Sequence, residues 1–184
     1  QRAKNTVLLI SSLVFYFFGE PVYVVLLVIS SVSDYFHSIY IERHRGEQRA
    51  KRALISSVII NLALLGFFKY ADFIITSINS VFGADIPLLG VALPIGISFF
   101  TFQTMSYTID VYRGKVHAQK NFATLATFVC LFPQLIAGPI VRYSDIEHEL
   151  QSRQTDVNSY AAGARRFVIG LAKKVLIANS MGEL

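Results

Sequence analysis

Residues 93–116, LPIGISFFTFQTMSYTIDVYRGKV, and residues 122–146, FATLATFVCLFPQLIAGPIVRYSDI, decide how this chain folds. Both are apolar runs with a sparse set of polar side chains, and the second is interrupted by Pro133, Gly138 and Pro139. Hydrocarbon cannot hydrogen-bond a freed carbonyl, so a helix broken at membrane depth must be packed inside protein or line a wet cavity. Polar groups placed beside such a break usually serve a substrate path.

The rest of the chain fits that reading. Of its 184 residues 53% are hydrophobic and 16% charged, with a mean hydropathy of +0.50. The hydrophobicity comes in long blocks separated by basic loops, the pattern of an all-α polytopic membrane protein. A formal charge of +5 could suggest nucleic acid, but the positive residues flank apolar blocks, where topology explains them better; no nucleic-acid partner is expected. The single cysteine, Cys130, lies in an apolar run and reads as a small core hydrophobe. Val7 to Phe18, with Arg2 and Lys4 before it, resembles a secretory signal, yet no small-x-small cleavage site follows.

About four spanning helices are expected: Asn5 to Phe18, Val22 to Ile41, Ala53 to Tyr70 and Leu93 to Tyr112, with Phe73 to Phe82 prolonging the third or lying in the interface. The loop ERHRGEQRAKR (residues 42–52) and the segment carrying Arg113, Lys115 and Lys120 are basic, hence cytoplasmic by the positive-inside rule, and Arg2 with Lys4 puts the N-terminus on that side. Phe122 to Ile136 is too short and interrupted to span and reads as re-entrant, dipping in from the cytoplasm. Ser144 to Asn158 reads as an interfacial or cytoplasmic helix and loop, and Tyr160 to Ala178 as a last helix with a small-and-basic stripe of Gly163, Arg166, Gly170 and Lys173.

Gln103, Tyr107 and Asp110 fall at i, i+4 and i+7, on one helical face flanked by Thr104, and Asp110 can pair with Arg113 one turn later. They are either interhelical hydrogen-bond glue or a polar tunnel wall. Gln134, Arg142 and Tyr143 bracket the Gly138-Pro139 break. Freed N–H groups with an arginine alongside suit an anionic or carbonyl-bearing ligand, whereas a bare snorkelling role would take Arg142 to the head groups. The histidines are poorly placed for catalysis: His44 and His117 lie in basic loops, and His37 follows Asp34 by three, where an interfacial pair is expected. His148 shares a face with Asp145 and Glu149, but no second ligand cluster supports a metal. No Gly-rich phosphate loop or nucleophile elbow occurs.

The string FPQLIAGPIVRYSDI, the preceding LPIGISFFTFQTMSYTIDVYRGKV and the later GLAKKVLIAN resemble the membrane-bound O-acyltransferase superfamily, and within it the bacterial alginate O-acetyltransferase group. The resemblance is sharp from about Leu93 to Asn179. It implies acyl transfer from a thioester such as acetyl-CoA or an acyl-carrier protein, with no permanently bound cofactor, to hydroxyls of a cell-envelope or exopolysaccharide. A buried histidine would act as base in a bilayer that excludes water. In the family the catalytic positions lie C-terminal to the matched segment, and none of His37, His44, His117 or His148 occupies them. The resemblance therefore implies that residues 1–184 are a single N-terminal portion of a larger enzyme in a bacterial inner membrane. The portion would supply scaffold and tunnel wall through Gln103, Tyr107, Asp110, Arg113, Gln134, Gly138, Pro139 and Arg142, none as catalyst. Its expected partners are the bilayer and a polysaccharide acceptor or an acyl-relay protein. D-alanyl transfer to teichoic acid is the sister alternative. A channel or transporter predicts an inverted repeat of hydropathy, which the sequence lacks; a purely structural scaffold is the remaining alternative.

Overall fold

A computed structural model of the chain describes residues 2–135, 139–153 and 156–182. No strand occurs among them, and they divide into two compact units, Gln1–Gln151 and Ser152–Leu184. The first unit contains α1 (Arg2–Gly19), α2 (Val24–Arg43), α3 (Gln48–Phe82), α4 (Ile97–Tyr112), α5 (Phe122–Cys130), α6 (Phe132–Leu135) and α7 (Tyr143–Ser152). α2 packs against α3, α4 and α5, α3 against α4, and α1 along α5.

Two helices, α2 with 20 residues and α3 with 35, are long and apolar enough to cross a membrane. α1 and α4, at 18 and 16 residues, extend about 27 and 24 Å, short of a hydrocarbon core of about 30 Å. The third expected span starts earlier and runs further than Ala53 to Tyr70, because nothing interrupts it before Gly83, which ends it at φ +64°. Asp72 and Asn79 then tie the following loop back to α3. Asp72 accepts from the backbone N–H groups of Leu89 (2.8 Å) and Gly90 (3.1 Å), and the Asn79 amide pairs with both backbone groups of Ile86.

The fourth helix begins at Ile97, four residues later than the apolar run suggests, because Gly96 stands at φ +78° in the turn before it. That turn is clamped from the opposite side. Tyr16 donates to the Ile95 carbonyl at 2.8 Å, Glu20 accepts from the Ile95 N–H at 3.2 Å, and Tyr23 donates to the Ala92 carbonyl at 2.9 Å. At the other end the two basic segments meet: Arg45 donates to the Val111 carbonyl at 2.9 Å, and Glu42 accepts from His117 (2.8 Å) and from the Ala118 N–H.

A polar seam joins α2, α3 and α4. Asp34, with no accessible surface, accepts from Ser57 Oγ at 2.7 Å and from Asn61 Nδ2 at 3.0 Å on each oxygen. Asn61 Oδ1 in turn faces Ser30 and Thr104, and Thr108 lies 3.4 Å from Ser57. The expected Asp34–His37 pair is not what forms. The aspartate turns into the bundle because α3 offers it donors, while His37 Nδ1 lies 2.7 Å from the Ser33 carbonyl. A buried carboxylate needs such partners, and a hydroxyl and an amide on a neighbouring helix supply them without a cation.

In the second unit α8 (Val157–Lys173) starts at Asp156, whose carboxylate accepts from the Ser159 N–H at 2.6 Å. The bonds from Ser159 hold this carboxyl below its ordinary range. A five-residue π-helical stretch, Lys174–Ala178, and α9 (Asn179–Gly182) continue it, so the last helix starts before Tyr160 and changes winding within its expected length.

Gly96 and Gly66 give opposite expectations. A Cβ on Gly96 would run into the Leu135 carbonyl, and its positive φ costs a non-glycine residue about 1–2 kcal/mol in addition. Gly66 has open space inside helix α3, where alanine gains about 0.5–1 kcal/mol. Thermal unfolding of the detergent-purified full-length protein should therefore show Gly96→Ala melting lower and Gly66→Ala slightly higher than the parent.

Candidate functional site

Pro133 explains where the apolar helix α5 breaks. It has no N–H to give the Val129 carbonyl, and its ring clashes there, so α5 ends at Cys130. In the first turn of α6 the missing N–H costs nothing. A break thus precedes Pro133, one of the three residues expected to interrupt this run, while Gly138 lies outside the described residues. Asn121 starts α5, accepting from the Ala123 N–H at 2.9 Å, and every residue from Thr124 to Cys130 is buried.

Ending a helix frees its last carbonyls. One of them, on Phe128, receives two side-chain amides: Gln103 Nε2 from α4 at 3.0 Å and Gln134 Nε2 from α6 at 2.7 Å. Two residues singled out in the sequence thus converge on a single backbone oxygen. One turn along α4, the buried Tyr107 hydroxyl accepts from the Gln119 N–H at 2.7 Å and donates to Ser38 Oγ at 3.3 Å. Its ring meets Tyr143 edge-on, 5.0 Å between centroids, and Tyr143 meets Phe128 at 5.3 Å. Gln119 Nε2 donates to the Tyr143 hydroxyl at 2.8 Å, while its Oε1 accepts from the Asn121 N–H. Burial raises the Tyr143 pKa, so its hydroxyl stays protonated. Chain that enters beside Gln119 therefore returns to Gln119 at Tyr143, having reached Leu135 against Gly96 between the two.

The remaining nominated residues are not brought into this cluster. Asp110 is buried, but its ion-pair partner is Lys115 Nζ at 3.9 Å and not Arg113, because the chain turns at Gly114 (φ +74°) and brings Lys115 back under α4. Arg113, Pro139 and Arg142 are exposed. Arg142 contributes its carbonyl to the first turn of α7, accepting from the Asp145 N–H at 3.1 Å. Gln119 carried no signal in the sequence, since a glutamine in a short polar linker looks like any other. Asp34 and Asn61 were readable as isolated polar residues in apolar helices, but not as partners.

Of the histidines, His37 is tied to Ser33 and Ser56, His44 stacks on Tyr40, and His117 bonds Glu42 in the open. An imidazole beside a carboxylate can serve as a base, but His117 is 86% exposed, the reverse of a dry reaction centre. Among the described residues no three His, Cys, Asp or Glu side chains gather as metal ligands. What this arrangement does chemically is supply two side-chain donors to a carbonyl at the end of a broken helix.

Comparison with known proteins gives this geometry a context. The chain is 40% identical over 189 residues to the probable alginate O-acetylase AlgI of Pseudomonas aeruginosa, a match that takes in 100% of the chain and 36% of that protein. Over its whole length the chain is similar to the alginate O-acetylases. It is likewise 38% identical over 188 residues to the probable alginate O-acetylase AlgI of Azotobacter vinelandii, covering 100% of the chain and 38% of that protein. With the peptidoglycan O-acetyltransferase of Helicobacter pylori it shares 35% identity over 200 residues, 94% of the chain and 38% of that protein. The chain thus spans little more than a third of the length of the curated relatives it matches. No protein-family model matches the chain, and no solved structure matches it significantly.

The shared acceptor on Phe128 makes a double-mutant cycle informative. Gln103→Leu and Gln134→Leu should each lower the unfolding free energy of the full-length protein by about 0.5–1.5 kcal/mol, because the other amide still serves the oxygen. The double variant should lose more than the sum, since the carbonyl is then buried with no donor. Additive losses in detergent unfolding would mean the two amides act independently.

Proposed function

We propose that the full-length protein is a membrane O-acetyltransferase that moves an acetyl group to hydroxyls of a cell-envelope or secreted polysaccharide. The observation that carries this reading is the identity of 33–40%, over 94–100% of the chain, to proteins named as alginate O-acetylases and a peptidoglycan O-acetyltransferase. The acyl donor is a thioester, acetyl-CoA or an acyl-carrier protein, and the acceptor is the polymer itself or an acyl-relay partner. The four histidines present here are bonded or exposed in ways that do not suit a catalytic base, so the residues that do the chemistry belong to other parts of the enzyme.

The present stretch contributes the scaffold and one wall of the substrate path. In this reading α1 to α4 cross an inner membrane, the shorter α1 and α4 packed against α5 and α2, with the basic segments and the N-terminus on the cytoplasmic side. Support for that orientation comes from the meeting of residues 42–52 with residues 113–120 at one end of the bundle. The α5–α6 excursion is re-entrant from that same side, and α7 lies at the interface. Gln103, Tyr107 and Gln134 hold the excursion in place, and Arg142, beyond it and exposed, is the cation that meets a thioester carbonyl or an anionic donor. D-alanyl transfer would require a partner for the substrate ammonium; Asp34, the carboxylate at the bundle centre, is already occupied by Ser57 and Asn61.

The test is ester-linked acetate on the polymer, measured by alkaline release from cells that lack their own O-acetylase and carry the full-length protein. Acetate should appear, and a polymer free of ester acetate despite normal membrane abundance would overturn the reading. In the same assay Arg142→Ala should lower transfer about tenfold, a loss of about 1.4 kcal/mol of transition-state stabilisation, while abundance changes little. Equal falls in both would assign Arg142 to folding.

A further inference from the structure

The basic end of the bundle carries a cavity that the acetylation reading does not use. On α2, Ser33, Phe36, His37 and Tyr40 follow one another at i, i+3, i+4 and i+7, and on α3 Arg49, Arg52 and Ser56 share the facing stripe. The two stripes line an open cleft of about 640 Å³. The floor is polar and internally matched: His37 Nδ1 lies 2.7 Å from the Ser33 carbonyl, so that nitrogen carries the proton, and Nε2 faces Ser56 Oγ at 3.3 Å. Phe36 and Tyr40 form an exposed aromatic wall, and the two arginines stand at the rim.

Electrostatics at this rim are unbalanced. Arg49 and Arg52 sit in the first turns of α3, where the helix dipole is already positive, and the first turn holds no acidic residue. Glu47 makes no capping bond and reaches Arg49 only at 4.0 Å, with both side chains largely in solvent, while no ion pair to Arg52 occurs among the described residues. Away from the rim the groove runs into exposed isoleucines: Ile29 one turn further on α2, and Ile59 and Ile60 one turn further on α3. A ligand that fits must therefore combine an anionic head, hydrogen-bond acceptors and apolar tails.

We infer that this α2–α3 cleft binds the phosphodiester headgroup of an anionic glycerophospholipid. The arginines and the helix N-terminus take the phosphate, Ser56 and Tyr40 offer hydroxyls to the headgroup, and the acyl chains follow Phe36 and the isoleucines. The inference rests on α2 and α3 standing in the membrane, as proposed above, but not on acyl transfer. A lipid held there would fix the register of α2 and α3 at the bilayer surface, the end at which Glu42 and Arg45 also anchor the second basic segment.

Native mass spectrometry of the detergent-purified full-length protein tests it, with phosphatidylglycerol and phosphatidylcholine of matched acyl chains added after delipidation. Retention of phosphatidylglycerol should exceed that of phosphatidylcholine about tenfold, since each basic residue near such a headgroup contributes several-fold. Arg49→Gln/Arg52→Gln should abolish the preference, and Lys51→Gln, in the same turns of α3 but outside the cleft, should keep it. Thermal melting of each variant reports whether it is folded. Equal retention of both lipids, or an equal effect of Lys51→Gln, would overturn the inference. So would displacement of the lipid by millimolar inorganic phosphate, which would mark a free-anion site. Because the readout is lipid mass, its failure is separable from failure of the acetylation assay.

Discussion

A buried carbonyl that has lost its helical partner must find another donor. Pro133 creates that situation by ending α5 at Cys130, and Gln103 and Gln134 resolve it at the Phe128 oxygen. Three elements are joined at this point, because the donors come from α4 and α6 and the acceptor from α5. The height of α4 relative to α5, and so the places of Tyr107, Gln119 and Tyr143 one turn below, follow from it.

The bundle around this point is held by different means at its different levels. In the middle the seam of Asp34, Asn61, Ser57, Thr104 and Thr108 locks α2, α3 and α4 by hydrogen bonds, which outlast the absence of a hydrophobic driving force between helices in lipid. At the basic end Glu42 and Arg45 bind the chain that follows α4, and at the opposite end Tyr16, Glu20 and Tyr23 bind the chain that precedes it. α4 is thereby fixed at both ends although it is too short to define its own position by hydrophobic length. In the acyltransferase reading proposed above this would matter, since a path that excludes water needs walls that do not shift. α3, by contrast, has few buried residues along 35 and presents isoleucines and phenylalanines outward, as a lipid-facing helix does.

Much of this was legible in the chain. The block pattern of hydrophobicity announced an all-helical membrane protein, Pro133 announced a broken helix, and Gln103 with Tyr107 stood out because polar side chains in apolar helices need partners. The family likeness of residues 93–179 was equally plain in the motif strings. The helix ends were less so: Gly96 as the start of α4 depends on a positive φ and on the closeness of Leu135, which no local pattern contains. Asp110 shows the same limit, since Arg113 is nearer in sequence than Lys115 and only the turn at Gly114 brings the more distant cation to it.

Residue type and spacing by themselves determined which segments are helical and which side chains are polar where polarity is costly. These follow from local periodicity and from the bilayer as solvent. Only the tertiary structure decided the partners: that Gln103 and Gln134 share the Phe128 carbonyl, that Asp34 turns from His37 to Asn61 and Ser57, and that Gln119 closes the excursion on Tyr143. A hydrogen bond requires two groups within about 3 Å, and between helices that proximity is a property of packing, not of sequence separation.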